Sequence, residues 1–218
     1  FTRFTNDPDD NTSLSHNGIL SIFEDSIGDL WVGTYGGGLN KFNPQSQKFK
    51  RYVYDENNEK SLSNNSVMAI IEAKGNRLWV STYGGGINRF DIKTESFSRF
   101  SKKDGLASAS IYGLLEDDSG KIWMSTNKGL SVLDPITLAV NNYDEKDGLQ
   151  SNEFNSGAFY KNDKGELYFG GGNGFNRFLP ENIKRIQLNL PVVFTKMSVD
   201  NIPVSIGVIE EKEVFELE

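Results

Sequence analysis

The sequence predicts an all-β fold of four repeated, four-stranded antiparallel units, and three observations carry that prediction. A short phrase centred on an aromatic residue recurs: Asp29-Leu30-Trp31-Val32-Gly33-Thr34, then Arg77-Leu78-Trp79-Val80-Ser81-Thr82, then Lys121-Ile122-Trp123-Met124-Ser125-Thr126, and in worn form Glu166-Leu167-Tyr168-Phe169-Gly170-Gly171. The anchors Trp31, Trp79, Trp123 and Tyr168 stand 48, 44 and 45 residues apart, a period typical of one supersecondary unit per repeat. The chain also holds 22 glycines and 12% aromatic residues, a mix that suits strands joined by tight turns rather than helices. Four-stranded sheets repeated about an axis make a β-propeller. Four units predict a four-bladed ring or a partial one.

The elements follow in order. Phe1-Thr2-Arg3-Phe4 matches Phe97-Ser98-Arg99-Phe100 and reads as the outer strand of a preceding unit. Each unit then opens with a short apolar run suited to a buried inner strand. These runs lie within Leu14–Asp25, within Leu62–Ala73, at Ile111-Tyr112-Gly113-Leu114-Leu115 after Leu106, and at Ser156-Gly157-Ala158-Phe159-Tyr160 after Leu149. Three residues before each anchor stand Gly28, Asn76, Gly120 and Gly165; these are the residue types that best take a left-handed hairpin conformation. The anchor strand comes next, then a glycine-rich loop: Tyr35-Gly36-Gly37-Gly38, Tyr83-Gly84-Gly85-Gly86, Asn127-Lys128-Gly129 and Asn173-Gly174. Third strands leave those loops at Leu39–Phe42, Ile87–Phe90, Leu130–Leu133 and Phe175–Phe178. Fourth strands at Lys48–Tyr52, Ser96–Phe100 and Val140–Tyr143 alternate aromatic or apolar with polar residues, as a half-exposed outer strand does. After Pro180 the repeat fades. Residues 1–185 are therefore assigned to the repeats and 186–218 to the incomplete start of another β domain, whose Val-rich alternation runs from Pro191 to Ile206.

Composition narrows the function classes. The net charge of −7, from 30 acidic against 23 basic residues, comes with no basic patch, which argues against nucleic acid as a partner. The absence of cysteine excludes disulfides, thiol catalysis and zinc-thiolate sites. No apolar run approaches the ~18 residues of a membrane-spanning helix. The chain opens in mid-pattern without a Met, and we expect it to be a piece of a longer protein.

The repeats resemble the two-component regulator propeller repeat. The resemblance rests on Asp117-Asp118-Ser119-Gly120-Lys121-Ile122-Trp123-Met124-Ser125-Thr126, on Gly129-Leu130 after it, and on the Leu-Ser-x-Asn openings at Leu14–Asn17 and Leu62–Asn65. It covers roughly Phe1 to Arg185. The stretch Leu190–Asn201 resembles the start of the Tyr-rich, Ig-like domain that follows such propellers. By implication the chain is part of the extracytoplasmic sensor region of a bacterial membrane receptor of the sensor histidine kinase or diguanylate cyclase type. The output domain is not in this chain, so the piece itself is expected to be non-catalytic. Family propellers usually carry seven blades.

Candidate residues are weighed against the scaffold. Trp31, Trp79 and Trp123 sit in mid-strand, where large aromatics pack between sheets. The glycine-rich loops lack the Lys-Ser/Thr of a phosphate-binding loop. Tyr35 and Tyr83 are the leading candidates for ligand contact, with Asn127, Asn173, Asn17 and Asn65 from the same loops and openings beside them. His16 is the only histidine and has no triad partner or second metal ligand at a recognisable spacing. The acidic stretch Asp7-Pro8-Asp9-Asp10-Asn11 departs from a calcium-binding loop. Asp25, Asp117 and Asp163 precede the turn glycines, where Asp caps a turn. Carboxylate pairs such as Glu24-Asp25 and Glu116-Asp117 recur with the repeat, whereas a catalytic pair is unique to its site. No catalytic residue, metal or cofactor is assigned.

Three functions remain open: a ligand-sensing module of a receptor, a propeller enzyme such as a lyase or glycan hydrolase, and a structural spacer. The expected partners are a small-molecule or oligosaccharide signal and further copies of the receptor, with a homodimer favoured. Unpaired strand edges template pairing, so Phe1–Thr5 is expected either to complete the fourth blade or to join two chains.

Overall fold

The structure is a computed structural model that describes residues 1–75, 77–183, 197–199, 202–209 and 212–216. Asn76, expected in the hairpin turn of the second unit, lies outside the described residues, as does 184–196 at the start of the proposed second domain. The chain divides into two units, Phe1–Ile183 and Lys184–Glu218.

The first unit holds four antiparallel blades. Blade one comprises β1 (Ile19–Glu24), β2 (Leu30–Thr34), β3 (Leu39–Asn43) and β4 (Lys48–Tyr52). Blade two comprises β5 (Val67–Ala73), β6 (Arg77–Thr82), β7 (Gly86–Asp91) and β8 (Ser96–Phe100). Blade three comprises β9 (Ile111–Glu116), β10 (Ile122–Thr126), β11 (Gly129–Leu133) and β12 (Val140–Tyr143). Blade four comprises β13 (Phe154–Lys161), β14 (Leu167–Gly171) and β15 (Gly174–Phe178). Each is a meander in sequence order. The inner strands β1, β5, β9 and β13 meet one after the next. Among the described residues, helix is confined to three short 3-10 turns, Lys102–Asp104, Glu145–Asp147 and Pro180–Asn182. The second unit shows a three-stranded antiparallel sheet of β16 (Met197–Val199), β17 (Ile202–Ile209) and β18 (Lys212–Glu216).

The anchor tryptophans are the packing units. Trp31 is buried in a cluster with Leu62, Ile70, Leu78 and Phe90 of blade two, and its ring meets Phe90 edge-on at 5.5 Å. Trp79 packs with Ile111, Leu114 and Ile122 of blade three. Trp123 packs with Phe154, Leu167 and Phe169 of blade four. Each blade thus buries its large aromatic against the next, the arrangement expected where one sheet cannot cover its own apolar face.

Polar bonds repeat with the same period. Asp25 Oδ2 accepts from Trp31 Nε1 at 2.8 Å, and Asp117 Oδ2 from Trp123 Nε1 at 2.8 Å. Arg51 donates to the Ser13 carbonyl at 3.0 Å and the Asp10 carbonyl at 2.8 Å. Arg99 does the same to Ser61 and Asn58, both at 2.8 Å. Each arginine straps the loop that leads into its own blade. Asp7, Asp9 and Asp10 belong to the first of these strapped loops, where Asp10 Oδ1 accepts from the backbone and hydroxyl of Thr12.

Three sequence expectations are corrected. In the fourth unit the turn is capped by Asn162, whose Oδ1 accepts from Lys164 N and Glu166 N, both at 3.0 Å. Asp163, one residue late for that geometry, is exposed. Blade four has three strands among the described residues, because after Phe178 the chain turns at Pro180, which has no N–H to extend a ladder. Finally, Phe1–Thr5 does not add to β15: Phe4 instead packs on Phe42 and Phe49 of blade one, at 4.9 and 5.7 Å between ring centroids. Tyr52 packs on Phe90 and Phe97 in the same way, at 5.0 and 6.2 Å. Phe4 therefore fills the place of a preceding outer strand without forming a ladder there.

Candidate functional site

A meander places its second-to-third loop and its exit at one end, and its other two turns at the opposite end. Tyr35, Tyr83, Asn127 and Asn173 all sit at the second-to-third loops of successive blades. They therefore share one end of the arc with the chain entries at His16, Asn17, Asn64 and Asn65. The loop that presents each tyrosine is built from close backbone approaches. Gly38 (φ +84°) lies so near the Tyr52 carbonyl that a Cβ would collide with it, and Gly86 (φ +82°) meets the Phe100 carbonyl likewise. Thr34 Oγ1 donates to the Gly38 carbonyl at 2.9 Å, and Thr82 Oγ1 to Gly86 at 3.0 Å.

The hydrogen bonds that hold these tyrosines are made by their backbone. Tyr35 N donates to the Gly18 carbonyl at 2.8 Å, and Tyr83 N to the Ser66 carbonyl at 2.9 Å. The two residues are 61% and 53% exposed, whereas the tryptophans four residues earlier are buried. Tyr35 lies 6.4 Å from His16. Tyr83 stacks at 6.5 Å and 25° on Tyr112 of the next blade, and Tyr112 donates to Glu153 Oε1 at 3.3 Å. Burial, with the neighbouring Glu153 carboxylate second, raises the Tyr112 pKa above the usual phenol value. Tyr112 stays a neutral donor there.

The asparagines divide. Asn17 Oδ1 accepts from Asn6 N at 2.7 Å, and Asn65 Oδ1 from Tyr54 N at 2.6 Å. Both fasten the incoming chain, and the Asn65 carbonyl also accepts from Gly36 and Gly38. Asn127 Oδ1 accepts from Ser108 Oγ at 2.6 Å, and the residue lines an open groove of about 480 Å³ with Lys128, Asn142, Asp144, Asp147 and Asn152. Asn173 is tied by its backbone N to Gln150 Oε1 at 2.8 Å, with an exposed side chain. Tyr35, Tyr83 and Asn127 are exposed at equivalent loops of successive blades, and Asn17 and Asn65 fasten the incoming chain at the same end.

Tyr112 and Glu153 were not singled out from sequence. The signal was available: Leu20 and Met68 occupy the position of Tyr112 in the earlier units, and Ser66 and Ser110 that of Glu153. A residue that departs from its repeat counterparts is the one free to serve a site. Flat rings, amide NH₂ groups and one carboxylate together can stack on an apolar ring face and bond its hydroxyls.

Comparison with known proteins places these elements. The family model described as two component regulator propeller matches residues 13–36, 61–84 and 105–128. Histidine kinase P4 of Formosa agariphila is 34% identical over 104 residues, which is 48% of this chain and 8% of that protein. The extracellular domain of a hybrid two-component system from B. thetaiotaomicron superposes with a TM-score of 0.71 at 30% identity, over 94% of this chain and 27% of that one. The extracellular domain of a one-component system from the same organism shares the fold, with a TM-score of 0.68 at 24% identity over 95% of this chain and 30% of its own. The chain spans less than a third of the length of each of these relatives.

Proposed function

We propose, from the match of residues 13–36, 61–84 and 105–128 to the two component regulator propeller model, that the chain is a ligand-sensing segment of a bacterial signalling receptor, exposed outside the cytoplasm and anchored to the membrane through other parts of the protein. The signal is a small molecule or oligosaccharide, received at the end of the arc that carries Tyr35 and Tyr83. Further copies of the receptor are the second partner. A non-catalytic role is consistent with carboxylates that recur with the repeat.

One observation carries the reading: two exposed tyrosines stand at equivalent loops of adjacent blades with no side-chain hydrogen bond on their hydroxyls among the described residues, while the anchor tryptophans of the same strands are buried. Exposed apolar rings beside polar groups that can orient a ligand are what a saccharide surface needs. The likeness to an extracellular two-component domain at 30% identity supports the location.

The test is calorimetric titration of the chain with a panel of neutral oligosaccharides, alongside Tyr35→Ala with Tyr83→Ala. At least one saccharide is expected to bind, with affinity about tenfold weaker in the double variant, as roughly 1.4 kcal/mol of lost stacking implies. No binding by any saccharide, or equal binding by the folded double variant, would overturn the assignment and leave the spacer role.

A further inference from the structure

The opposite end of the arc carries a different arrangement. On each anchor strand, the residue two before the aromatic lies diagonal to the residue paired with that aromatic on the third strand; Trp31 pairs with Lys41, Trp79 with Arg89, Trp123 with Val132 and Tyr168 with Arg177. Side chains on such a diagonal share a face and are within reach of each other when long. Blade one uses the diagonal for an ion pair between Asp29 and Lys41. Blade four uses it for Glu166 with Arg177 at 3.7 Å. Blade two places two cations there, Arg77 and Arg89, and neither makes an ion pair among the described residues.

Both arginines line one open groove of about 790 Å³ at the junction of blades one and two. Lys93 adds a third cation to its wall, and Ile27 and Ile92 an apolar one. Asp91 is the only carboxylate on that wall. Its Oδ1 is taken by the backbone N–H groups of Lys93 and Thr94, at 2.9 and 3.0 Å, in its own turn. Those backbone bonds hold the Asp91 carboxyl below the usual carboxylate range. The groove therefore has three cations to one committed acid, in a protein whose net charge is −7.

Two like charges on a cross-strand diagonal repel. The sister blades show that the geometry brings the head groups of this diagonal together, so an oxyanion between Arg77 and Arg89 would replace the missing carboxylate. Guanidinium forks suit such an anion, since each can present two parallel N–H donors. We infer that the Arg77–Arg89 groove of blade two is a binding site for an oxyanion group, carboxylate or sulfate, of a ligand with an apolar ring edge. It is a second site, at the end of the arc away from Tyr35 and Tyr83, and does not depend on the saccharide reading there.

The experiment titrates the folded chain with sodium sulfate and, separately, with glucuronate, and with glucose as the uncharged control. It follows the Arg77 and Arg89 side-chain Nε signals by NMR at constant ionic strength. Saturable shifts with sulfate or glucuronate and none with glucose are expected; the stronger of the two anions identifies a tetrahedral or a planar group. Arg77→Asp rebuilds the ion pair of blade one. It should raise the melting temperature without anion and weaken anion binding at least tenfold. Tyr35→Ala with Tyr83→Ala should leave anion binding unchanged. Shifts that fail to saturate, or that persist undiminished in Arg77→Asp, would overturn the site. So would loss of stability in Arg77→Asp, because the two arginines would then be supporting the fold rather than awaiting a ligand.

Discussion

Asp117 lies where the acidity of the medium reaches the core. Burial pushes its carboxyl pKa up, but hydrogen bonds from Ser119, Trp123 and the Lys121 backbone outweigh that, and the net shift is downward from 3.8. A carboxylate with a depressed folded pKa contributes stability that is present above its unfolded value and lost as the pH falls through the folded one. The unfolding midpoint should thus fall below about pH 4, and Asp117→Asn should start lower at neutral pH but show a flatter acid limb; thermal melts across that range check it. Trp79→Ala should cost roughly 3–5 kcal/mol, the usual loss for a buried aromatic, read from denaturant unfolding. Both residues were legible in the sequence because they recur. Asp163 was misread for the converse reason: the fourth unit is worn, and the cap had passed to Asn162, a residue type that serves an Asx turn equally well. Tyr112, Glu153, Arg77 and Arg89 escaped because a repeat alignment draws the eye to what is shared.

At the scale of elements, the strands were readable from alternation and period, and the loops between blades were not. The loop 7–13 looks like a solvated acidic run until Arg51 is seen strapping it from about forty residues away. Such long-range bonds leave no local pattern. Arg99→Ala should destabilise by about 1–3 kcal/mol, as hydrogen bonds made by a charged group usually do. It should also speed amide exchange through 55–62 more than in β6, which hydrogen exchange resolved by residue will show. Gly86→Ala should be worse, since the new Cβ meets the Phe100 carbonyl in a backbone conformation that L-residues disfavour.

For the propeller unit as a whole, stability is expected to be graded along the arc. Ile22 is 67% exposed on blade one, whereas its counterparts Ile70 and Leu114 are 6% and 0% exposed against a neighbouring blade. Blade four, with three strands, leaves Tyr160 and Phe175 exposed. In a repeat array each unit is held by its neighbours, and end units have fewer. Amides of β6 and β10 should exchange slowest and those of β1 and β15 fastest; uniform protection would show that the ends are covered in solution, by another copy or otherwise. The seat of Phe4 on Phe42 and Phe49, matched one period later by Tyr52 on Phe90 and Phe97, bears on heredity. Plug and socket are alike at these two joints, so a gene that lost the period between them by unequal crossing-over would still join an aromatic plug to an aromatic socket. A loss out of phase sets an aromatic ring against a polar loop, and selection removes it.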